Sequence, residues 1–268
     1  MKSNSMNQIE RAKNKRREKF WVGSGKFFLI LIIVYLVYIA TLKIIEAEKN
    51  KNNIFNQKDI EIEGNHIISQ EMILNICGFE HSSDKKIPID IDRVAQKIMS
   101  LNYVQGVSIT ARPPRKLNIT VEERKPIAFI YGRGLNLIDN QGYLMPVPEI
   151  NMVWDLPLIS GIKQKLGKLG EMSVAADTYL ALEIVTYLEL ENPLLLALIS
   201  EINLNKSNYI ELFLTKGGAT IRISRNSFYK ELYILKNYLA NYIDWAQLHM
   251  IEYIDLRFKD QLVVKSKV

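Results

Sequence analysis

The feature that most constrains this chain is an uncharged apolar run at residues 27–42, which reads FFLILIIVYLVYIATL. A helix rises about 1.5 Å per residue, so these residues cover roughly 24 Å, against roughly 30 Å for the hydrocarbon core of a bilayer. Lys26 and Lys43 flank the run and can extend their ammonium groups to the interface, while neighbouring residues lengthen the helix. The run therefore predicts a single transmembrane helix at residues 27–45.

Two other interpretations of the apolar run fit less well. A buried core helix is more typical of apolar runs of about 10 to 14 residues. A cleaved signal peptide also places basic residues before an apolar segment. Here, however, the basic segment is long, and residues 43–46 offer no pair of small residues for cleavage. We interpret the run as an uncleaved anchor.

The positive charge of the chain is concentrated before this helix. Residues 1–26 contain eight basic and two acidic side chains, so they account for the whole formal charge of +6, and the rest of the chain is formally neutral. A nucleic-acid-binding function therefore loses its main support. The basic flank predicts a cytoplasmic tail at residues 1–26. The chain would then be a single-pass type II protein of the inner (plasma) membrane, with its later domains in the periplasm or outside the cell.

A strand-turn-helix pattern begins soon after the anchor, at residues 60–73. Apolar residues of the strand alternate with glutamates, Gly64 suits the turn, and Ser69 suits the cap of the helix. Asp90 is a suitable cap for a second helix, and two more stretches of alternating apolar residues follow before residue 123. The predicted order of elements is β-α-α-β-β.

Three motifs in this region form a recognisable set: a Gly-Asn turn, a serine cap and a Glu-Arg-x-Pro sequence after the last strand. The residues are Gly64, Asn65, Ser69, Glu123, Arg124 and Pro126. The set resembles the POTRA domain of the FtsQ/DivIB family of bacterial cell-division proteins. The fold class expected from pattern and resemblance is α+β. It comprises the transmembrane helix, a POTRA domain at residues 54–123 and a mixed α/β domain with an antiparallel sheet at residues 124–268.

The remainder of the chain also shows apolar residues at helical spacing and in strand-like alternation. Apolar residues repeat at helical spacing from about residue 173 to 190 and again after Ser227, with alternating segments around them. The last segment, IEYIDLRFKDQLVVK, occupies residues 251–265. Its Asp-Leu-Arg-Phe sequence at residues 255–258 is similar to the segment that precedes the last strand of the family's C-terminal β domain. The resemblance extends over essentially the whole exported region.

The last strand predicts a binding surface for another protein. A terminal strand leaves backbone N–H and C=O groups unpaired, and a partner can satisfy them by adding its own strand. We predict that Arg257 pairs with a carboxylate of the partner while apolar side chains supply contact area. The predicted partner-binding residues are Tyr253, Arg257, Phe258, Leu262 and Val264.

The family resemblance implies both a role and partners. It implies a scaffold of the divisome at the division septum, which links cytoplasmic and periplasmic division proteins. The implied partners are membrane coiled-coil proteins of the FtsB/FtsL type, and beyond them the septal peptidoglycan synthase complex. The alternative is a POTRA-containing envelope assembly or chaperone-like module that is not dedicated to division. Such a module would be expected to carry several POTRA repeats or a barrel pattern, and the sequence contains neither.

Catalytic and metal-binding motifs are absent from the sequence. His66, His81 and His249 lie in unrelated contexts, and there is no H-E-x-x-H, G-x-S-x-G or Walker pattern. Cys77 is the only cysteine, so no intramolecular disulfide can form, and its position on a helix predicts a buried apolar role. We therefore predict no catalytic, cofactor-binding or metal-binding residue, no small-molecule substrate and no enzymatic activity.

Overall fold

The structure is a computed structural model that describes residues 31–44, 54–79, 86–112, 115–149, 152–215, 218–242, 245–259 and 261–267, with backbone alone at 242 and 245–247. It shows a helix, α1, at residues 31–44, then a first domain with a three-stranded sheet and a second domain with a nine-stranded sheet. Each domain has its own cluster of buried apolar side chains.

Helix α1 exposes apolar side chains along its length. Leu31, Val34 and Tyr38 are exposed by 49%, 59% and 59%, and no large apolar side chain of this helix is buried. Among the described residues, no helix has both the length and the apolar character needed to cross a membrane. The predicted anchor at residues 27–45 and the predicted basic tail before it fall partly or wholly outside the described residues.

The first domain has the predicted β-α-α-β-β order with one addition. Its elements are β1 (Ile54–Phe55), β2 (Ile60–Glu63), α2 (Gln70–Cys77), β3 (Ile87–Pro88), α3 (Ile91–Met99), β4 (Val104–Arg112) and β5 (Lys116–Glu123). Strand β5 is central in the main sheet, parallel to β2 and antiparallel to β4. The addition is a small antiparallel pair of β1 and β3, which was not predicted.

The helices of the first domain begin at the predicted caps. The Ser69 hydroxyl accepts a hydrogen bond from the Met72 amide at 3.1 Å, and the Asp90 carboxylate accepts one from the Arg93 amide at 3.1 Å. Gly78 ends α2 with a left-handed φ of 97°. The helices and the sheet enclose a core that includes Ile73, Phe79, Ile98, Leu117 and Ile119.

In the described residues, the second domain is built on nine strands, three α-helices and a short 3-10 helix at Trp245–Met250. Its elements are β6 (Pro126–Tyr131), β7 (Leu135–Asp139), β8 (Leu144–Pro146), β9 (Leu158–Ser160), α4 (Ala176–Glu191), α5 (Pro193–Leu196), β10 (Ile199–Asn203), β11 (Tyr209–Leu214), β12 (Thr220–Ser224), α6 (Phe228–Tyr242), β13 (Ile251–Asp255) and β14 (Val263–Ser266). The strand order is β14-β13-β12-β11-β10-β9-β6-β7-β8. Helix α4 begins at Ala176, slightly later than the predicted start near residue 173.

The expectation of an antiparallel sheet holds only in part, because the sheet is mixed. Strand β9 is parallel to both β6 and β10, and β12 is parallel to β13. Parallel neighbours need a long crossover connection, usually a helix. Helices α4 and α5 lie between β9 and β10, and α6 lies between β12 and β13. These helices make the crossovers of the pairs β9–β10 and β12–β13, whereas β6 and β9 are connected through β7 and β8. The strand patterns alone did not indicate the parallel pairs.

Helices α4 and α6 cover one face of this sheet, and at strands β11 and β12 the other face is only half-buried. In β11, Ile210, Leu212 and Leu214 are buried in the core, while the alternating residues between them are half-buried. Strand β12 shows the same alternation. The two helices touch each other through Tyr187 and Tyr229, whose ring centroids lie 5.0 Å apart. We call the helix-free side the open face of the sheet.

Candidate partner-binding edge of the C-terminal sheet

Strand β14 is the open edge of the nine-stranded sheet. It pairs antiparallel with β13 alone, with Val264 opposite Ile254 and Lys265 opposite Tyr253. No other strand of the described chain lies beside it. Its outer backbone groups therefore have no strand partner within the described chain.

The opposite edge, β8, is already covered by the chain itself. The Leu144 amide donates to the Glu171 carbonyl at 3.0 Å, and the Gly170 amide donates to the Leu144 carbonyl at 2.8 Å. Tyr143 and Met172 form a further bridge at this edge. Because the segment at residues 170–172 satisfies this edge, the two ends of the sheet differ, and only β14 has no neighbour on its outer side in the described chain.

Arg257 is held by an intrachain carboxylate. Its guanidinium donates to both oxygens of Asp255, at 2.8 and 2.6 Å, and stacks over the Tyr209 ring at 4.1 Å. Burial alone would raise the pKa of Asp255, but the hydrogen bonds from Arg257 and the charges of Arg257 and Arg222 together lower it. The hydrogen bonds that Arg257 donates to Asp255 also raise the pKa of Arg257. A partner carboxylate would have to compete with Asp255 for this guanidinium.

Phe258 is the most prominent apolar side chain beside the edge. It is 51% exposed and borders a groove of about 600 Å³ between the start of α6 and the segment that leads into β14. Ile234, Leu256 and Leu262 also line this groove, together with Lys230 and Lys259. The groove beside Phe258 therefore combines apolar and basic lining residues.

The five predicted site residues do not form one continuous patch. Leu262 and Val264 are half-buried and pack against the core on the helix-covered face. Tyr253 lies on β13, which already has a strand on each side, and it faces the open side in register with Lys265. The predicted residues thus divide between the two faces of the sheet, with Phe258 in the connection between the last two strands.

The open face carries a row of charged and aromatic side chains, of which only Tyr253 was predicted from the sequence. Arg222 lies 4.6 Å from the Tyr253 ring and 3.3 Å from the Glu211 carboxylate, and Lys265 lies 5.8 Å from the same ring. Lys265 also pairs with Glu252 at 2.7 Å. The alternation of each strand placed these residues outward, but only the register between strands brings them together.

Two consecutive residues of the Glu-Arg-x-Pro motif lie at the junction of the domains and not at this edge. The Glu123 carboxylate accepts hydrogen bonds from the amides of His66, Ile67 and Ile68, at 2.8 to 2.9 Å. These contacts fix the loop before α2 to the end of β5. The motif therefore has a structural role in the first domain that its sequence did not reveal.

Arg124, the next residue, contacts side chains of the second domain. Its guanidinium donates to Asp139 at 2.9 Å and lies 3.5 Å from the centre of the Tyr143 ring. Its backbone amide donates to the Tyr103 carbonyl at 2.7 Å, and the Tyr103 hydroxyl donates to the Pro146 carbonyl at 2.9 Å. The junction is therefore joined by both side-chain and backbone contacts.

The described residues contain no group of three or more histidine, cysteine, aspartate or glutamate side chains that could hold a metal ion. Cys77 is buried, with 5% of its surface exposed, and burial raises the pKa of its thiol to about 11. A thiol with so high a pKa is a poor nucleophile at neutral pH, because the thiolate is the reactive form. The prediction that Cys77 has a buried apolar role is in line with this environment.

The β-α-α-β-β unit and the larger mixed sheet with its open last strand define a POTRA-containing protein with a C-terminal β domain. The family described as "POTRA domain, FtsQ-type" matches residues 55–124, and "Cell division protein FtsQ/DivIB, C-terminal" matches residues 128–257. The chain belongs to the FtsQ/DivIB family of cell-division proteins. The recognition made from the sequence is confirmed.

Individual relatives agree with this assignment. The cell division protein FtsQ of Geobacter sp. (strain M21) is 25% identical over 219 residues, which are 81% of this chain and 78% of the relative. FtsQ of Rhodothermus marinus is 30% identical over 186 residues, 67% of this chain and 66% of the relative. The cell division protein DivIB of Clostridium tetani is 29% identical over 122 residues, 45% and 46% of the two chains. These names describe a role in cell division.

Proposed function

We propose that this chain is a scaffold of the division machinery, anchored in the cytoplasmic membrane, that recruits membrane coiled-coil proteins of the FtsB/FtsL type through the edge of β14. The observation that carries the proposal is the asymmetry of the sheet. Strand β8 is covered by residues 170–172, whereas β14 has no second neighbour in the described chain. An added strand would continue the sheet beyond β14.

The recruited segment is expected to be an extended strand with an apolar side chain at one end. Its backbone would hydrogen-bond to β14, and its apolar side chain would enter the groove beside Phe258. Arg257 supports this site by holding the chain that follows β13 through its pair with Asp255. This assigns Arg257 an indirect role in place of the direct pairing predicted from the sequence.

The membrane anchor is also part of the proposal. The apolar run at residues 27–42 and the exposed apolar side chains of α1 support a helix that lies in lipid. The basic tail at residues 1–26 supports a cytoplasmic amino terminus, with the domains at 54–123 and 124–268 outside the cytoplasm. A carboxyl-terminal reporter that is active only outside the cytoplasm tests this orientation, and activity on the cytoplasmic side would contradict it.

The docking site is tested by photo-crosslinking in dividing cells. A photoreactive residue at position 258 should crosslink to small membrane coiled-coil proteins, whereas one at Leu190, an exposed apolar position (77%) on α4, should not. Phe258→Ala should weaken binding to such a partner by about tenfold, or about 1.4 kcal/mol. Equal crosslinking from both positions, or unchanged affinity of the variant, would remove the site assignment.

The cellular role has its own test. A fluorescent fusion should concentrate in a band at midcell as the septum forms. Uniform signal around the envelope would favour the alternative of an assembly or chaperone-like module that is not dedicated to division.

A further inference from the structure

A second groove lies at the other end of the nine-stranded sheet, away from β14. It has a volume of about 830 Å³ and lies between the β6–β7 turn at residues 132–134 and the loop at residues 161–169 that follows β9. Four cationic side chains line it: Arg133, Lys163, Lys165 and Lys168. No acidic residue is among its described lining residues. We call this site the basic groove.

The four cations of the basic groove have no partner in the part of the chain that the structure describes. Within the described ranges, none of these side chains forms a hydrogen bond or an ion pair, and all four are exposed. Other arginines of the same domain are paired with carboxylates; they are Arg124, Arg222, Arg225 and Arg257. Since residues 27–268 are formally neutral, the groove is a local excess of positive charge.

The loop that carries the three lysines is fixed in place. Leu166 is 9% exposed and lies so close to the β6–β7 turn that a Cβ added at Gly132 would be only 2.6 Å from its Cδ1 atom. The Leu166 carbonyl accepts a hydrogen bond from the Val174 amide at 3.0 Å. The lysines that flank Leu166 are therefore presented by an anchored loop, which reduces the entropy lost when a ligand binds.

Exposed apolar side chains border the same groove. Tyr131 and Leu169 line it and are 57% and 45% exposed, and Leu135, beside the turn, is 49% exposed. A small anion is held best by buried, converging donors, whereas these cations are exposed and spread over two loops. A chain that alternates carboxylates with apolar side chains matches the groove better, because it uses both kinds of surface.

We propose that the basic groove binds an acidic, extended peptide segment of a partner protein. Carboxylates of the segment would face Arg133 and the three lysines, and its apolar side chains would pack against Tyr131 and Leu169. The sheet would then have two separate docking sites, one at each end. The basic groove shares no lining residue with the groove beside Phe258, so the two proposals succeed or fail independently.

The test uses the full chain in neutral detergent micelles and measures fluorescence anisotropy of a labelled peptide. The peptide alternates glutamate with tyrosine, as an extended segment with two distinct faces requires, and a second peptide has lysine in place of each glutamate. We expect saturable binding of the acidic peptide that weakens as salt is added, and no binding of the lysine peptide. Micelles without protein serve as the blank.

Two triple variants distinguish the basic groove from general charge effects. Lys163→Glu, Lys165→Glu and Lys168→Glu together should weaken binding at least about tenfold, because attraction becomes repulsion. The control reverses three exposed lysines elsewhere, at Lys86, Lys97 and Lys206, so the change in net charge is the same. The control should stay within about twofold of wild type. Changing the three groove lysines to glutamine should weaken binding less than reversal does, without introducing repulsion.

Several outcomes would overturn the proposal. One is the absence of saturable binding, and another is an equal loss in the groove and control variants. Displacement of the peptide by low concentrations of inorganic phosphate would indicate a small-anion site in its place. Phosphatidylglycerol added to the micelles tests a membrane surface. Attraction to these micelles that depends on the groove lysines, without peptide binding, would assign the groove to lipid.

Discussion

Arg124 donates a hydrogen bond of 2.9 Å to the Asp139 carboxylate, with only 11% and 3% of the two side chains exposed. Asp139 also accepts the amides of Gln141 and Tyr143, at 3.0 and 2.8 Å, and so shapes the turn between β7 and β8. Because Arg124 follows Glu123 directly, one dipeptide ties the loop before α2 and the turn after β7 to the same point of the backbone. This arrangement is expected to set the angle between the two domains.

Asp139→Asn should destabilise the protein by about 3 kcal/mol, because it leaves the Arg124 charge buried without a counter-charge. The amide oxygen of asparagine can still accept the two turn hydrogen bonds, so the loss reports mainly on the ion pair. Urea unfolding measures the change. Arg133→Ala, at an exposed arginine without an ion pair in the described chain, should cost less than about 0.5 kcal/mol. Similar losses in the two variants would contradict a special role for this pair.

Glu123→Gln should loosen the loop before α2. The carboxylate accepts three amide hydrogen bonds through two oxygens, and glutamine has only one acceptor oxygen. We expect the free energy of unfolding to fall by about 1 to 2 kcal/mol, and hydrogen exchange at the amides of residues 66–68 to become faster. Glu122→Gln, at the exposed neighbouring position, is the matched control and should leave exchange at these amides unchanged.

Gly64→Ala should destabilise the first domain by more than about 2 kcal/mol. Gly64 has a φ of 81°, and a Cβ atom there would lie 2.1 Å from the Val121 carbonyl oxygen. Gly134→Ala is the comparison, since a Cβ at that position meets no atom within 4 Å. Thermal unfolding of both variants checks the prediction. Equal melting temperatures would show that the close approach of the turn to β5 is not required.

The pair between Asp255 and Arg257 should give stability that depends on pH. Its hydrogen bonds and charges lower the pKa of Asp255, so the folded state keeps this carboxylate ionised at a pH where the unfolded chain binds a proton. The stabilisation is complete above the ordinary aspartate pKa of about 3.9 and is lost as the pH falls through the lower value of the folded protein. Stability therefore falls on acidification.

Asp255→Asn isolates this contribution. We expect the free energy of unfolding of wild type to exceed that of the variant by about 2 kcal/mol near neutral pH, because the variant loses one partner of a largely buried, hydrogen-bonded pair. The difference should shrink below about pH 4 as the wild-type carboxylate is protonated. Denaturant titrations over a pH series measure it. A difference that grows towards low pH would reverse the sign and reject this explanation.

Cys77 should react with thiol reagents only after unfolding. With a pKa of about 11, the thiolate is a minor species at pH 8, about one thiol in a thousand. The thiol is also covered by the first-domain core. Labelling should be slow in native protein and rapid in denaturant, and mass spectrometry measures both rates. Rapid labelling under native conditions would show that α2 opens readily.

The sequence determined the identity and extent of most elements, because the relevant physics is local. Ser69 and Asp90 cap their helices through amides three residues away, and Gly78 ends α2 with a positive φ. Alternating residues such as those of β11 predicted which side chains face the core. The motifs that suggested the FtsQ/DivIB family also needed no structure.

Strict alternation failed where the pairing was irregular. A period of two places Ile251 on the same side as Tyr253, but the register of β13 shifts between these residues and Ile251 is buried in the core. A bulge of this kind reverses the facing of one residue. It depends on the partner strand β14, which begins only at Val263, so the local pattern could not indicate it.

The tertiary structure decided which groups meet and which remain free. Glu123 reaches amides 55 to 57 positions away, and Arg124 reaches a carboxylate 15 positions away. The sequence marked Arg257 as a functional candidate, yet only the folded chain shows that Asp255 occupies its guanidinium. The open edge at β14 and the covered edge at β8 depend on strand order. Local propensity determines the secondary structure of each segment. Hydrogen bonding between distant segments determines which backbone and side-chain groups stay unpaired in the described chain.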